Sequence, residues 1–483
     1  MMRRVDRIQQ SLSGTLTARR LASRALMLPH SPAVSRAQYS QAVAVAAPVP
    51  EEPSPPSSGV DEFWRKVPMW EDVSMEEFIS WRWTTKNFVE HHSRSAPEKL
   101  KGILAGVLPD HVPFTSNASL VQSREEFIED IFGGIEESSM SIRITPHVFS
   151  RINWQDPRHD PIFQQFIPLK SLMQPDHPRS KHDSLHESHD SPVGADTSEV
   201  SKQQMKPTLK RWEAAFKYIE DTPQITDIVV SGGDAYYLSP EQLAYIGERL
   251  IKIPNVKKFR IASKGLGVAP NRILDPNDQW SDALLWIHRL ALKAGKRAAL
   301  HTHINHPDEI SWMTEQACRK LIEGGLTVRN QSVLLRGIND NVETISKLIR
   351  ALAEDLRISP YYVYQCDMVR KVEHLRTPLQ AIMDIEAKIR GSIAGFDMPQ
   401  FIVDLPQGGG KRLAGNYLSY DRDTGVSRFM APAVSGDGTK DSKVYEYYDP
   451  LPLKAQMDLL SDRLEVPTSC LSTLVSVAEV LRS

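Results

Sequence analysis

The sequence predicts an α/β protein whose core is a partial (β/α) barrel of parallel strands. This prediction rests on two observations. From about residue 206 onward, short apolar runs alternate with segments that have the periodicity of amphipathic helices, which is typical of βα units and a parallel sheet. Polar residues directly follow several of these runs, as expected where chemistry lies at the carboxyl ends of barrel strands.

The first βα unit shows the pattern clearly. Trp212, Phe216 and Ile219 have the spacing of one helical face, and the apolar run at 227–230 follows as a strand. The segment SPEQ at 239–242 then predicts a helix start. Its serine can cap the helix, its proline suits the first helical position, and its glutamine completes a capping box.

Further strands are predicted at 258–263, 298–304, 327–335, 361–364 and 401–403. Another helix start is predicted before the last of these strands. There Thr377 would cap the helix, Pro378 would take the first position, and Gln380 would be the reciprocal partner.

The polar residues at the ends of the runs should meet at one edge of the sheet. They are the segment 231–234, His301 and His303, Asn330 and Gln331, Asp367, and Asp404. Polar residues at so many strand ends are not required for the stability of a barrel, so these residues are predicted to line a functional site.

The first 60 residues differ in composition from the rest. Residues 1–40 contain many arginines and one acidic residue, Asp6, which predicts a mitochondrial transit peptide and a matrix location. A basic tail without targeting function is the alternative. Residues 41–60 are rich in Pro, Ala and Ser and are predicted to be a disordered linker.

The remaining chain divides into four predicted segments. They are a helical N-terminal region at 61–165, a polar loop at 166–205, the partial barrel at 206–405, and a lysine-bearing loop with a C-terminal tail at 406–483. In the polar loop, His182, His186 and His189 have the spacing of metal ligands on a helix, but the flanking sequence favours a solvated loop.

Charge and cysteine content exclude several classes of function. The formal net charge is −2 over 483 residues, so the basic face of a nucleic-acid-binding protein is not expected. No apolar run is long enough to predict a membrane span. The three cysteines, Cys318, Cys366 and Cys470, are too far apart for a compact cysteine motif.

Six motifs stand in the order and spacing of one known family. They are SGGD (231–234), THINHPDEI (302–310), NQSVLLRGIND (330–340), PYYVYQCD (360–367), EHLRTP (373–378) and VDLPQGGGK (403–411). On these motifs the chain resembles the lysine 2,3-aminomutase family of the radical S-adenosylmethionine superfamily. The resemblance is close over 206–420, and it implies a radical-SAM-type barrel.

The resemblance implies an isomerase that moves the amino group of L-lysine from C2 to C3. In the family, pyridoxal phosphate forms an imine with the substrate amine, and a radical derived from S-adenosylmethionine removes a hydrogen from C3. These cofactors carry the chemistry, and the protein supplies orientation and electrostatics. A reducing electron donor is then an expected partner, and a homo-oligomeric state stays open.

The resemblance also assigns residues to the cofactor and the substrate. Lys411, after three glycines, matches the lysine that binds pyridoxal phosphate; Gln407 stands where the family usually has glycine. Asp367 and Asp404 match the carboxylates that hold the substrate's side-chain ammonium, which favours lysine over glutamate. The alternative is that both are ordinary acids at a solvated rim.

The candidate S-adenosylmethionine contacts are Ser231, Gly232, Gly233, Asp234, His303 and Gln331. For each of them, a structural role at the barrel mouth is the alternative.

One part of the family pattern is missing from this chain. The family holds a [4Fe–4S] cluster with three cysteines in a CxxxCxxC loop, and no such loop is present. The flanking motifs meet at about Val193, which predicts a deletion there that removes the first strand, the cluster loop and the family's phosphate- and carboxylate-binding arginines. The expected edge strand at 227–230 would then be unpaired. The family's C-terminal zinc-binding cysteines are absent as well.

Three functional hypotheses follow. The chain is an incomplete copy of an active mitochondrial L-lysine 2,3-aminomutase, inactive as written because the cluster cysteines are absent. Alternatively, it is a degenerate homologue that binds pyridoxal phosphate without catalysis and has a regulatory or binding role. The third hypothesis is an unrelated barrel hydrolase or lyase.

Overall fold

A curled seven-stranded sheet lies at the centre of the protein. The computed structural model describes residues 60–91, 96–114, 120–138, 142–185, 208–231, 234–432, 443–452 and 455–456. All of these lie in one compact unit, Ala46–Ser483. No helix within these ranges is long and apolar enough to cross a membrane.

Residues 60–166 fold as short helices and two small sheets. The helices are α1 (Met75–Ile79), α2 (Trp81–Lys86), α3 (Ala96–Val107), α4 (Arg124–Glu137), α5 (Pro146–Arg151) and α6 (Pro161–Phe166). The strands are β1 (Val89–Glu90), β2 (His111–Pro113), β3 (Val121–Ser123) and β4 (Arg143–Ile144), which pair antiparallel as β1–β4 and β2–β3. The helical prediction for this region did not include the four strands.

Aromatic side chains hold this N-terminal part together. Phe63 and Trp64 are almost fully buried, and the Trp64 ring stacks on Phe78 with ring centroids 4.4 Å apart. Stacked and edge-on aromatic pairs add about 0.5–1.5 kcal/mol each beyond their buried area. These three side chains therefore belong to the apolar core of this region.

The central sheet contains β5 (Asp227–Val230), β6 (Lys258–Ala262), β7 (Arg297–Thr302), β8 (Thr327–Leu334), β9 (Ser359–Gln365), β10 (Gln400–Leu405) and β11 (Gly410–Leu413). The strands lie side by side in chain order. β5 to β10 are parallel, and β11 returns antiparallel to β10. The sheet is therefore a half-barrel, compatible with the predicted partial barrel.

Helices between these strands cover one face of the sheet. They are α7 (Leu209–Asp221), α8 (Pro240–Lys252), α9 (Gly265–Val268), α10 (Asn271–Leu274), α11 (Trp280–Lys293), α12 (Trp312–Glu323), α13 (Val342–Arg350) and α14 (Leu379–Ile389), with a π-helical turn at Ala351–Asp355 after α13. Side chains alternate along each strand: in β6, Phe259 and Ile261 are buried, whereas Arg260 lies on the opposite, more open face.

The two predicted helix starts had different outcomes. Ser239 and Gln242 form the expected capping box at the start of α8. The prediction for Thr377 was wrong by one residue, because Pro378 is the N-cap residue and has no side chain that can cap. The carboxylate of Asp449 instead accepts a hydrogen bond of 2.8 Å from the Leu379 amide.

The outer edge of β5 carries no hydrogen-bonded strand within the described ranges. Val229 on this strand is 48% exposed, which is unusual for an apolar residue in a parallel sheet. An open edge here is what the predicted loss of the first strand would leave. The predicted deletion site near Val193 itself lies outside the described residues, as do residues 1–59.

The C-terminal part adds a second sheet that was not predicted. Its strands are β12 (Ser419–Asp421), β13 (Val426–Met430) and β14 (Val444–Tyr448), all antiparallel. Phe429, Tyr445 and Tyr447 are buried and pack into the same apolar cluster as Leu405 of β10. This sheet therefore supports the hairpin formed by β10 and β11.

Candidate active site

Lys411 and Asp404 lie opposite each other on the hairpin of β10 and β11. Their side chains form an ion pair between Lys411 Nζ and Asp404 Oδ2. The lysine side chain is 46% exposed and the aspartate side chain 11%. Lys411 Nζ also lies 5.5 Å from the centre of the Tyr364 ring, so the amine is accessible but contacts protein on two sides.

The turn before Lys411 has an unusual backbone. Gln407, Gly408 and Gly410 have φ values of 63°, 75° and 77°, a region that glycine adopts freely and other residues rarely. Gly409 is packed closely, because a Cβ there would lie 2.6 Å from Leu405 Cβ and 2.7 Å from the Tyr445 ring. The glycines thus allow a tight turn, and Lys411 is on a strand rather than in the predicted loop.

Asp367 lies near the same hairpin. It follows β9, which is the parallel neighbour of β10, so both aspartates are at the carboxyl edge of the sheet. The pKa of Tyr364 is raised, first by burial and then by the charges of Asp404 and Asp367 among its neighbours. The charges of both carboxylates therefore act on the Tyr364 hydroxyl, and Asp404 is the one that pairs with the Lys411 amine.

His303 and Gln331 form a second group on the neighbouring strands. Thr302 pairs with Asn330 in the register of β7 and β8, so the residues after them are also neighbours. Burial, with the Lys264 charge, lowers the pKa of His303 to about 3. The imidazole is therefore neutral at physiological pH, so one ring nitrogen can donate a hydrogen bond and the other can accept one.

The two groups are separated along the strands. Gln331 pairs with Tyr362, and Tyr362 pairs with Gln400. Asp404 is four residues further along β10, roughly 13 Å at the usual rise of a strand. The structure therefore brings Lys411 and Asp404 together, places Asp367 at the end of the neighbouring strand, and holds His303 and Gln331 on neighbouring strands further away.

Asp234 connects the ends of two strands. Its backbone has a φ of 73°, and its carboxylate accepts hydrogen bonds from the Tyr236 amide at 2.8 Å and the Lys264 amide at 3.0 Å. The Asp234 side chain therefore has a structural role here. Ser231 is exposed directly after β5, and Gly232 and Gly233 lie outside the described residues.

Two neighbouring residues of the site were not singled out from the sequence. Tyr364 contacts Lys411, and its position two residues after Tyr362 on a strand places both on one face. Lys264 pairs with the buried carboxylate of Glu309 at 3.3 Å. The sequence gives little indication of this pair, because Lys264 and Glu309 are distant in the chain.

Asn330 and His301, by contrast, have mainly structural partners. The Asn330 carboxamide accepts a hydrogen bond from the Ile304 amide at 2.8 Å and donates one to the Ile304 carbonyl at 3.0 Å. His301 contacts the Tyr361 ring edge-on, and burial lowers its pKa to about 4. These contacts fix the segment that carries His303.

The residues present do not fit an iron–sulfur cluster. Within the described ranges, no three His, Cys, Asp or Glu side chains converge on a metal position. Cys318 and Cys366 are buried, as predicted, and burial raises the pKa of each thiol to about 12. Thiolate is the form that binds metal, so neither thiol is suited to a cluster. Cys470, His186 and His189 lie outside the described residues.

Comparison with known proteins identifies the family. The chain is similar to the L-lysine 2,3-aminomutase of Acetoanaerobium sticklandii, with 33% identity over 364 residues, which are 70% of this chain and 79% of the relative. It is also similar to that of Clostridium subterminale, with 33% identity over 374 residues, 72% of this chain and 80% of the relative.

A shorter match has another activity in its name. The glutamate 2,3-aminomutase of Clostridioides difficile is 33% identical over 199 residues, 41% of this chain and 44% of the relative. No family model matches the chain. From the two long matches, this chain belongs to the lysine 2,3-aminomutase family of isomerases.

Proposed function

We propose that this chain contains the pyridoxal phosphate and amino acid site of an L-lysine 2,3-aminomutase, which converts L-lysine to L-β-lysine. The observation that supports this proposal is the group formed by Lys411, Asp404 and Tyr364 on adjoining strands. It combines an accessible amine, a largely buried carboxylate and an aromatic ring at the carboxyl edge of a half-barrel, where barrel enzymes have their active sites.

Lys411 is the residue that would hold pyridoxal phosphate. This cofactor forms its imine with a primary amine. The tight turn at 406–410 places Lys411 on the strand opposite Asp404. When bound, pyridoxal phosphate supplies a conjugated ring that can carry the migrating amino group. The Tyr364 ring limits access of water to the amine from one side.

Asp404 and Asp367 are the residues that would hold the side-chain ammonium of lysine. In the structure, Asp404 is neutralised by Lys411. A bond between the Lys411 amine and the cofactor would take this amine out of the ion pair and would leave the Asp404 carboxylate to a substrate cation. Charge-assisted hydrogen bonds of this kind contribute roughly 1.5–3 kcal/mol, whereas a glutamate carboxylate would be repelled.

His303 and Gln331, with Ser231, Gly232, Gly233 and Asp234, are the proposed neighbours of S-adenosylmethionine. The residues that the structure describes do not fit the cluster that a radical step requires. We propose that the chain as written makes no radical and that it lacks a segment near Val193. The alternative is a non-catalytic homologue that binds pyridoxal phosphate and has a regulatory or binding role.

Cofactor binding is tested by absorbance. The full chain incubated with pyridoxal phosphate is expected to retain a visible absorbance band after desalting, and Lys411→Ala is expected to lose it. Lys388→Ala, an exposed lysine on α14, is the matched control. A band that persists in Lys411→Ala would exclude Lys411 as the cofactor lysine, and no band in any protein would argue against both aminomutase hypotheses.

The missing segment is tested by sequencing the transcript across the codons for Asp190 to Thr197. An insert that encodes a strand and CxxxCxxC would support the incomplete-copy hypothesis. A faithful match would favour the non-catalytic homologue. Iron analysis after anaerobic reconstitution of the chain as written gives an independent result, since a bound cluster would exclude the second hypothesis.

We further propose a location in the mitochondrial matrix, with an electron donor as partner for the complete protein. The arginine-rich residues 1–40 support this location. Fusion of these residues to a fluorescent protein tests it, with Arg3, Arg4 and Arg7 replaced by glutamate as the control. Diffuse fluorescence of the unmodified fusion would contradict the proposal.

A further inference from the structure

A cleft borders the turn of the hairpin that carries Lys411. Its volume is about 540 Å³, which is within the usual range for sites that bind small molecules. Part of its wall comes from β13 and β14, and part comes from Arg179 and the turn residues Pro406 and Gln407. Neither Lys411 nor Tyr364 lines the cleft, but the cleft includes the turn that precedes this lysine.

The walls of the cleft carry an excess of positive charge. Arg179, Arg428 and Lys443 are its cations, and Glu446 is its carboxylate. Arg428 Nε donates to Glu446 Oε1 at 2.9 Å, and the Tyr448 hydroxyl donates to the same carboxylate. Glu446 therefore neutralises Arg428.

The other two cations lie near aromatic rings, and the pKa of Glu446 is lowered by its hydrogen bonds to Tyr448 and Arg428 and also by the charge of Arg179. Arg179 lies 5.8 Å from the Tyr448 ring centre, and Lys443 Nζ lies 5.0 Å from the Tyr445 ring centre. Among the described residues, neither has a carboxylate oxygen within 4 Å. A guanidinium and an ammonium that form no ion pair with a described carboxylate can both donate to a phosphate group, which accepts several charge-assisted hydrogen bonds.

The remaining wall is apolar and partly aromatic. Tyr448 is partly exposed, with the His177 ring against part of it at a centroid distance of 5.1 Å, and Met368, Pro406 and Val444 complete this side. A flat ring can pack on a tyrosine face and an apolar wall with a gain of about 1–3 kcal/mol by stacking. The cleft therefore combines a surface for a ring with cations for an anion.

We propose that this cleft binds a nucleotide, with its base against Tyr448 and Pro406 and its phosphates between Arg179 and Lys443. The proposal goes beyond the proposed function, because binding here needs neither pyridoxal phosphate nor S-adenosylmethionine. A free phosphate or a bare nucleoside would satisfy only one part of the cleft, so both the ring and the charge are required for full affinity.

Nucleotide binding would also affect Lys411. The Gln407 amide donates a hydrogen bond of 2.7 Å to the Ser184 carbonyl, which ties the turn to the segment that carries Arg179. Asp404 and Lys411 pair directly above this turn. A ligand held between Arg179 and Pro406 would restrict the turn and so fix the position of the lysine relative to Asp404.

The test is titration of the full chain with ADP by isothermal calorimetry, with AMP, adenosine and inorganic phosphate as comparisons. The double variant Arg179→Ala/Lys443→Ala is expected to bind ADP at least about tenfold more weakly, since it loses charge-assisted contacts. The double variant Lys388→Ala/Arg390→Ala removes the same charge from the exposed side of α14 and should bind as the unmodified chain does. Circular dichroism melting curves check that all variants fold.

The outcomes are distinct. No ADP binding at millimolar concentration, or equal affinity in both double variants, would overturn the proposal. Adenosine or phosphate binding as tightly as ADP would also overturn it, because one half of the cleft would then be sufficient. A change of the cofactor absorbance by ADP in the unmodified chain, but not in Arg179→Ala/Lys443→Ala, is expected from the link to Lys411. Lack of cofactor binding would leave the ADP titration valid and would count only against the proposed function.

Discussion

Asp404 and Lys411 face each other in register across an antiparallel hairpin, and their side chains form an ion pair. Because the lysine is nearly half exposed, solvent screening limits the contribution of this pair to the free energy of unfolding to about 1 kcal/mol or less. Its importance is therefore chemical. Under the proposed function, the carboxylate would position the amine before cofactor binding and would hold a cationic substrate afterwards.

The variant Asp404→Asn tests this dual role. It keeps the size of the side chain and removes the charge, so the affinity of the cofactor-bound protein for lysine should fall by about 10–100-fold. Affinity for glutamate should stay the same or rise. Calorimetric titration with both amino acids measures the ratio, and Asp423→Asn on an exposed turn is the control. An unchanged lysine-to-glutamate ratio would refute the assignment of Asp404.

A second prediction concerns pH and His147. This side chain is buried, and its Nε2 lies 2.8 Å from Ser311 Oγ. Burial, with the nearby charge of Arg151, lowers its pKa to about 3, whereas the pKa in the unfolded chain is about 6.5. Below pH 6.5 the unfolded chain takes up a proton that the folded chain does not, so stability is lost as pH falls from about 6.5 towards 3.

The variant His147→Gln should remove this contribution. The free energy of unfolding of the unmodified chain should fall with decreasing pH more steeply than that of the variant, by up to about 1.4 kcal/mol per pH unit. Urea denaturation at pH 7, 6 and 5 gives the slopes. His111→Gln, on the exposed side of β2, should leave the slope unchanged. Equal slopes for His147→Gln and the unmodified chain would show that His147 is not the source.

The features of the fold that depend on short stretches of sequence were predictable. The apolar runs gave the strands β5 to β10 within a few residues, and the capping box of α8 was found because all of its partners lie within four residues of sequence. By contrast, the start of α14 depends on Asp449, seventy residues away from Leu379. Such a contact has no local signal, and therefore the sequence pointed to Thr377 instead.

For the candidate site, the sequence indicated residues but not their environment. Asp404 and Asp367 lie at the ends of apolar runs, so their position at one edge of the sheet follows from parallel topology alone. Lys411 follows three glycines instead, and it reaches this edge on the antiparallel strand β11. The strand β11 and the sheet of β12 to β14 were missed, because their alternation is interrupted by glycines and charged residues. For the same reason, the contact of Lys411 with Tyr364 was not foreseen, since it requires β11 to return along β10.

A third prediction concerns the buried pair of Glu373 and Arg376. Both side chains have no exposed surface, and Arg376 Nη1 lies 2.8 Å from Glu373 Oε2. Removal of one charge leaves the other buried without compensation, which usually costs about 3–5 kcal/mol. Glu373→Gln should therefore lower the free energy of unfolding by this amount. The double variant Glu373→Leu/Arg376→Met should regain much of it.

Urea denaturation of the three proteins measures the effect. Glu386→Gln breaks an exposed pair with Arg390 on α14 and should change stability by less than about 1 kcal/mol. If Glu373→Gln were as stable as Glu386→Gln, the buried pair would not be a structural element, and the link it makes from this turn to Tyr447 and Tyr448 would be unimportant.

A fourth prediction concerns the close packing of Gly409 in the turn before Lys411. In Gly409→Ala, the new methyl group would meet Leu405 and the Tyr445 ring at less than 3 Å, so the hairpin must move or the sheet must shift. Overpacking of this kind typically costs about 1–3 kcal/mol. In Gly415→Ala, the methyl group has no neighbour within 4 Å, and stability should change by less than about 0.5 kcal/mol, as for other surface substitutions.

Thermal melting measures both effects, and the cofactor absorbance reports the position of Lys411. Gly409→Ala should weaken cofactor retention and Gly415→Ala should not. Equal retention in the two variants would mean that the turn tolerates displacement, and that Lys411 does not depend on the close contact between Gly409 and Tyr445.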